Sequence, residues 1–304
     1  MASTSAAASC CVHSLRSASL RRSFPVFGGR VVLPAGRGRV RVGVGTGAMA
    51  CAADGVSKLL EAAKHTVDNY IKNGMMVGLG SGPASCMAIH YLGGLMKEGA
   101  LTDIVGIPTS ISSASEAAKA GIPLDHFRDS LQIDFAFDDA DVVEEGTLAA
   151  VIGRRKLEGG ESIMEEKSII RSAGQLAFIV DEDQYSINPD GSVPVLIESG
   201  NWLETAEEID DLFLGDAEVW RRPATGYAGP SGGDFPLVTK EGHHVLDVIF
   251  TSPIRDLTQV AAELDRIDGV VDHGVVSGLP CTTVIASEDG LRVVDNFPVN
   301  AASP

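Results

Sequence analysis

The sequence predicts a doubly wound, mostly parallel α/β sheet that carries a second, smaller α+β domain. Short apolar segments alternate with segments of helical period as far as about Asp190, and that spacing builds βαβ units. Turns rich in glycine, hydroxyls or carboxylates stand where the predicted strands end, on the edge where parallel sheets bind ligands. Beyond Asp190 the pattern changes to strands and helices of antiparallel character.

Taken in order, Leu60, Ala63, Val67, Tyr70 and Ile71 recur at helical spacing over residues 57–73, with Ser57 as N-cap and Gly74 at the stop. "MMVGLG" (75–80) reads as a buried strand running into a glycine loop, and 84–99 as the next helix. Residues 103–110 form a further strand, followed by a hydroxyl-rich turn and a short helix around 115–120. "LQIDFAFDDAD" alternates Ile133, Phe135 and Phe137 on one face and ends in acids, and "AFIVDED" (177–183) closes this Rossmann-like half. Then come "SVPVLIES", a helix over 201–214, "AEVWRR", a Gly/Pro-rich connection at 223–233, "HHVLDVIF" and a helix at 256–267. Residues 282–294 read as a hairpin turning at Asp289 and Gly290. The expected division is a leader at 1–53, an α/β domain from 54–190 with 280–296, a small α+β domain at 191–279, and a tail at 297–304.

The 304 residues are 44% hydrophobic and contain no apolar run approaching the ~18 to 20 residues of a membrane-spanning helix. No membrane is expected as a partner. The five cysteines, Cys10, Cys11, Cys51, Cys86 and Cys281, show no metal-like spacing, and no disulfide framework is expected. Residues 1–53 hold seven arginines and neither lysine nor acid, Asp54 being the first acid. Such a start resembles an organelle transit peptide, and its Val/Gly/Arg-rich second half points to the chloroplast stroma; a disordered basic arm is the alternative. Without those arginines, 17 basic residues face 41 acidic ones, a formal charge of −24. No nucleic-acid partner is expected, because its phosphates require a cationic stripe.

Four segments carry chemistry. In "GLGSGPA" the dinucleotide fingerprint fails, since Pro83 stands where the third glycine belongs, and no Gly-Lys-Ser/Thr follows for a P-loop. What remains is a turn with amides at Gly80, Ser81 and Gly82 before a helix start, either an oxyanion site or a plain structural turn. Thr109, Ser110, Ser112 and Ser113 follow a strand end and serve either a sugar or the helix cap. Asp138, Asp139 and Asp141 crowd three carboxylates into four residues, which suits acid/base chemistry, a solvated acidic turn being the alternative. His243 and His244 are adjacent in a strand and point to opposite faces, so no metal centre is expected from them. Arg154, Arg155 and Lys156 precede a Gly159-Gly160 turn and a helix bearing Glu165, Glu166 and Lys167, acids that taken alone read as solvated surface.

In chain order, "GLGSGPA", "PTSISSASE", "DDAD", "KLEGG" and "EEK" resemble the type A ribose-5-phosphate isomerase family, which shows Gly-(Leu/Ile)-Gly-Thr-Gly-Ser-Thr, a Ser/Thr-rich loop, Asp-Gly-Ala-Asp, Lys-Gly-Gly-Gly and Arg-Glu-Lys. The segment "GVVDHGVVSGLP" and the closing hairpin are similar too, so the likeness covers about 57–294. The resemblance implies aldose–ketose isomerisation through an enediolate, with no metal or organic cofactor, in a homodimer acting on a sugar phosphate. It implies Glu166 as the base that moves the proton between C1 and C2, Asp138 and Asp141 as handlers of hydroxyl protons, and Gly159 and Gly160 as donors to the oxyanion. Gly80, Ser81, Gly82, Ser85, Thr109, Ser110, Asp139, Lys156 and Gln184 would line the substrate.

The departures are specific. Pro83 and Ala84 replace two hydroxyl residues of the family's phosphate loop, leaving Ser85 as the nearest substitute. Family lysines fall on Leu157, one residue beyond Lys156, and on Gln184, while Asp139 replaces a glycine. An isomerase is therefore expected alongside an alternative: a catalytically impaired paralogue that binds a sugar phosphate or a protein partner.

Overall fold

The computed structural model describes residues 47–128, 131–154, 162–225 and 235–296. The chain divides into two units, Met1–Val56 and Ser57–Pro304. Helix α1 spans Gly47–Tyr70, so Ser57 lies inside it rather than capping it. The run of Ala50, Ala52 and Ala53 favours helix strongly enough that the lone Gly55 does not break it.

Four parallel strands follow the predicted order: β1 (Met76–Leu79), β2 (Val105–Pro108), β3 (Phe135–Asp139) and, after two short strands, β6 (Leu176–Asp181). With β13 (Cys281–Ser287) and β14 (Gly290–Asp295) they form one sheet in the order β14-β13-β6-β3-β1-β2. Only the β13–β14 hairpin pair is antiparallel. Its two-residue turn is Glu288 and Asp289, one position earlier than expected, because Ser287 pairs with Gly290. The chain leaves β1 for β2 on one side and returns to β3 on the other. This reversal opens a crevice at the carboxyl ends of β1 and β3, where doubly wound sheets hold ligands.

Helix α2, Pro83–Glu98, follows β1. Helix α3, Ile111–Ala120, starts four residues before the predicted position because Ser110 and Ser113 form a capping box there. Phe135, Phe137, Phe178, Leu79 and Ile107 fill the sheet core.

The antiparallel part has the order β11-β8-β10-β9, from Val270–His273, Gly191–Ile197, His244–Phe250 and Ala217–Arg221. Helices α5 (Trp202–Leu212) and α6 (Leu257–Leu264) cover it through Ile209, Leu257 and Leu264 against Val193, Val195 and Leu246. Residues 226–234, most of the Gly/Pro-rich connection, lie outside the described residues.

A third sheet is absent from the sequence reading. It joins β12 (Val275–Val276), β5 (Ala150–Val151), β4 (Val142–Glu144) and β7 (Tyr185–Ser186). Strands of two or three residues are too short to display a period.

Candidate active site

Gly80 directly follows β1, where a Cβ would lie 2.4 Å from both Asp138 Oδ1 and the Phe137 carbonyl oxygen. Only glycine allows the two strand ends to approach so closely. The approach lets Asp138, fully buried, accept a hydrogen bond from the Ser81 amide at 2.8 Å on the same Oδ1 that accepts from the Asp139 amide at 2.9 Å. Ser81 Oγ in turn donates to Ser110 Oγ (2.7 Å) and shares a hydrogen bond with Thr109 Oγ1 (2.9 Å). One serine thus joins the carboxyl ends of β1, β2 and β3.

Asp139 stands at the start of α2. Its Oδ2 accepts from the Ala84 amide at 3.0 Å and its Oδ1 from the Ser85 amide at 2.7 Å. Pro83 has no N–H, and the Cys86 amide already bonds Gly82. The helix therefore begins with its donors met by its own chain, in an arrangement that also suits the helix dipole. Among the sequence-predicted phosphate ligands, Ser81 is bound through its amide to Asp138, and Ser85 is fully buried, its Oγ without a hydrogen-bond partner among the described residues. Ser110 and Ser113 cap α3 as the plainer of the two readings expects.

Helix α4, Ile163–Arg171, is capped by Ser162, whose Oγ accepts from the Glu165 amide. Glu166 is half-buried on its first turn. Lys167 beside it is almost fully buried and donates to Asp272 Oδ1 at 2.5 Å and to the His273 carbonyl at 2.6 Å. Burial pulls the Lys167 ammonium below its ordinary pKa, against the raising effect of Asp272. His273 is pushed down to about 4, first by burial and next by the Lys167 charge. Its Nδ1 accepts from the Val275 amide, which leaves no place there for a second proton.

Asp141 accepts the Arg154 amide at 2.8 Å. The Arg154 guanidinium donates to the carbonyls of Ser192 (2.5 Å) and Asp190 (2.6 Å), while burial lowers its pKa and Asp141, Asp190 and Asp247 raise it. Gln184 braces the acidic segment: Nε2 donates to the Ala140 carbonyl at 2.6 Å and Oε1 accepts the Asp181 amide at 2.9 Å. Lys156, Leu157, Gly159 and Gly160 lie outside the described residues. The structure thus brings Ser81, Thr109, Ser110, Asp138 and Asp139 together through hydrogen bonds, with Gly80 in close approach, and attaches Gln184 and Ser85 to the same segment.

A small, partly open cleft lies beside this junction, lined by Gly80, Ser81, Gly82, Cys86, Ser113 and Glu116 among others. The sequence shows no metal-like cysteine cluster, yet folding gathers Cys86 with His90 and Glu116. The i, i+4 spacing of Cys86 and His90 is the signal that could have revealed half of it. Burial pushes the Glu116 carboxyl up, but hydrogen bonds from Lys119 and His90 outweigh it and hold the group below its ordinary pKa.

Residues 105–290 match the family described as ribose 5-phosphate isomerase A (phosphoriboisomerase A). The chain is 35% identical over 233 residues to the ribose-5-phosphate isomerase A of Gluconobacter oxydans (strain 621H), covering 76% of this chain and 93% of that one. It is 32% identical over 251 residues to the probable ribose-5-phosphate isomerase 3, chloroplastic, of Arabidopsis thaliana, covering 81% and 85%. Among solved structures, the ribose 5-phosphate isomerase from Plasmodium falciparum superposes with a TM-score of 0.68 at 27% identity, over 79% of this chain and 99% of that one. A D-ribose-5-phosphate isomerase in complex with phospho-erythronic acid matches with the same score and identity, over 79% and 98%. By sequence and by fold, the chain belongs to the ribose 5-phosphate isomerase A family.

Proposed function

We propose that this chain interconverts D-ribose 5-phosphate and D-ribulose 5-phosphate through an enediolate, in the plastid stroma and as a homodimer. The observation that carries the reading is the junction of Ser81 with Asp138 at the sheet's switch point, where a family member keeps its acids beside its glycine loop. In the aldose-to-ketose direction, Glu166 takes the proton from C2 and returns it to C1. The hydroxyl proton on O2 leaves and O1 gains one, with Asp138 and Asp141 as the nearby carboxylates for that transfer and for ring opening. The two proton movements balance, and no electrons leave the sugar. Gly159 and Gly160 are assigned to the developing oxyanion, and Lys156 to the substrate.

The plastid assignment rests on the acid-free, arginine-rich residues 1–53 and on a relative named chloroplastic. There the reaction would serve the non-oxidative pentose phosphate pathway and the Calvin cycle. Ribose 5-phosphate supplied to the purified chain in a coupled isomerase assay tests the activity. Turnover indistinguishable from the uncatalysed rate removes it.

One observation favours a second reading, a sugar-phosphate-binding paralogue of reduced activity. Asp139 already occupies the Ala84 and Ser85 amides, where a phosphate would otherwise find donors. Binding of ribose 5-phosphate without turnover selects this reading.

A further inference from the structure

We propose that Cys86, His90 and Glu116 form a zinc site at the edge of the glycine-loop cleft. The two helices that carry them pack backbone-close at Gly93, where a Cβ would lie 2.6 Å from Ala120 Cβ and 2.7 Å from the Ala120 carbonyl oxygen. One turn back on each helix, this approach sets His90 Nε2 2.8 Å from Glu116 Oε2. A further turn back on α2 brings Cys86 onto the same face. One ligand atom from each of the three lies within 4.8 Å of the others.

The donor set selects the metal. A thiolate, an imidazole and a carboxylate suit zinc, whereas calcium and magnesium take oxygen ligands almost alone. Three protein ligands, the number found here among the described residues, are what reactive zinc sites use. Tetrahedral bonds of ordinary length set the nitrogen and oxygen about 3.3 Å apart, so the His90–Glu116 hydrogen bond need open by only about half an ångström. The other Glu116 oxygen is held by Lys119 Nζ at 2.6 Å, which orients the carboxylate as an outer partner does in metal sites.

Position gives the site its use. Cys86 and Glu116 line the same cleft as Gly80, Ser81 and Gly82. The chain beyond residue 53 is strongly acidic, and Leu157 and Gln184 stand where the family has lysines. A divalent cation here would supply positive charge to an anionic substrate from a new direction. This last step rests on the sugar-phosphate reading; the metal site itself does not.

The test uses the full chain, stripped with a chelator and titrated with cobalt(II), which reports thiolate ligation by a sulfur-to-metal charge-transfer band. One cobalt per chain is expected, with the band abolished in Cys86→Ser and cobalt affinity lowered tenfold or more in both His90→Asn and Glu116→Gln. The band should persist in Cys281→Ser and in a Cys10→Ser, Cys11→Ser, Cys51→Ser triple variant. No band, or a band that survives Cys86→Ser, overturns the site. Because Glu116 lies on the other helix, its variant tests the same claim even if Cys86→Ser misfolds. Adding ribose 5-phosphate to the cobalt-loaded chain should alter the visible spectrum, and an unchanged spectrum overturns the link to the cleft. Turnover without a cobalt band defeats the metal site and leaves the isomerase standing, and a band without turnover does the reverse.

Discussion

Asp139 fastens both of its carboxylate oxygens to the first amides of α2, at Ala84 and Ser85, and so fills with the chain's own charge a place where helices commonly receive anions. Asp139→Gly, which removes that charge, should lower the Michaelis constant for ribose 5-phosphate about tenfold, the effect of one charge-assisted hydrogen bond gained. Loss of the cap should cost about 1 kcal/mol of stability. Steady-state kinetics together with a urea titration read both effects. An unchanged Michaelis constant means that the phosphate does not use this helix.

Glu166→Gln should reduce turnover about a hundredfold or more, the usual contribution of a positioned base. Asp138→Asn should also be severe. Asp138→Asn should in addition lower stability, since Asp138 is fully buried and accepts the Ser81 and Asp139 amides. Activity of Glu166→Gln within twofold of the unaltered chain would take this residue out of the base role.

Gln184→Lys restores a cation where the family has one, but it removes the acceptor of the Asp181 amide. The expected result is a lower Michaelis constant with a stability loss of about 1 kcal/mol. If stability falls and the Michaelis constant does not move, Gln184 serves only to brace the Asp181 amide and the Ala140 carbonyl.

Lys167→Met should be the most destabilising of these substitutions, by about 3 kcal/mol, because it strands the Asp272 carboxylate after removing its buried partner. Denaturant titration of Lys167→Met beside Asp272→Asn separates the pair from either residue alone. Nearly equal losses in the two single variants and in the double variant would mark them as one unit.

His273 sets a pH dependence of folding. Its pKa lies at about 4 in the folded chain and at 6.5 in its unperturbed state. Between these values the unfolded chain binds the proton and the folded chain does not. Stability is therefore complete above about pH 6.5 and declines as the pH falls to about 4, by on the order of 3 kcal/mol at most. Urea titrations across this range should show the decline, and His273→Gln should flatten it. An equal slope in that variant assigns the effect to other groups.

Much of the main sheet was legible because β1, β2, β3 and β6 are apolar, bounded by turns and separated by periodic helices. The glycine loop and Asp138 were legible for a related reason: close approach at Gly80 and a carboxylate at a strand end leave marks in local sequence. The role of Asp139 was not, because its partners Ala84 and Ser85 lie more than fifty residues away and contribute only backbone amides. The buried ion pair of Lys167 was not legible, because nothing local announces Asp272, more than a hundred residues later. The Cys86, His90 and Glu116 group escaped for want of Gly93 and Ala120, whose contact has no sequence period.

The segment from β3 into β4 is paired on both sides at both ends: Phe135–Asp139 lies between β1 and β6, and Val142–Glu144 between β5 and β7. Only Ala140 and Asp141 separate the two stretches. A one-residue slip would have to undo four pairings in two sheets at once, and it would turn every side chain to the opposite face. The backbone through the acidic motif is thereby insulated from the identity of its side chains. A family's glycine can become Asp139, and the chemistry of the crevice can drift, while the scaffold that presents it stays in register.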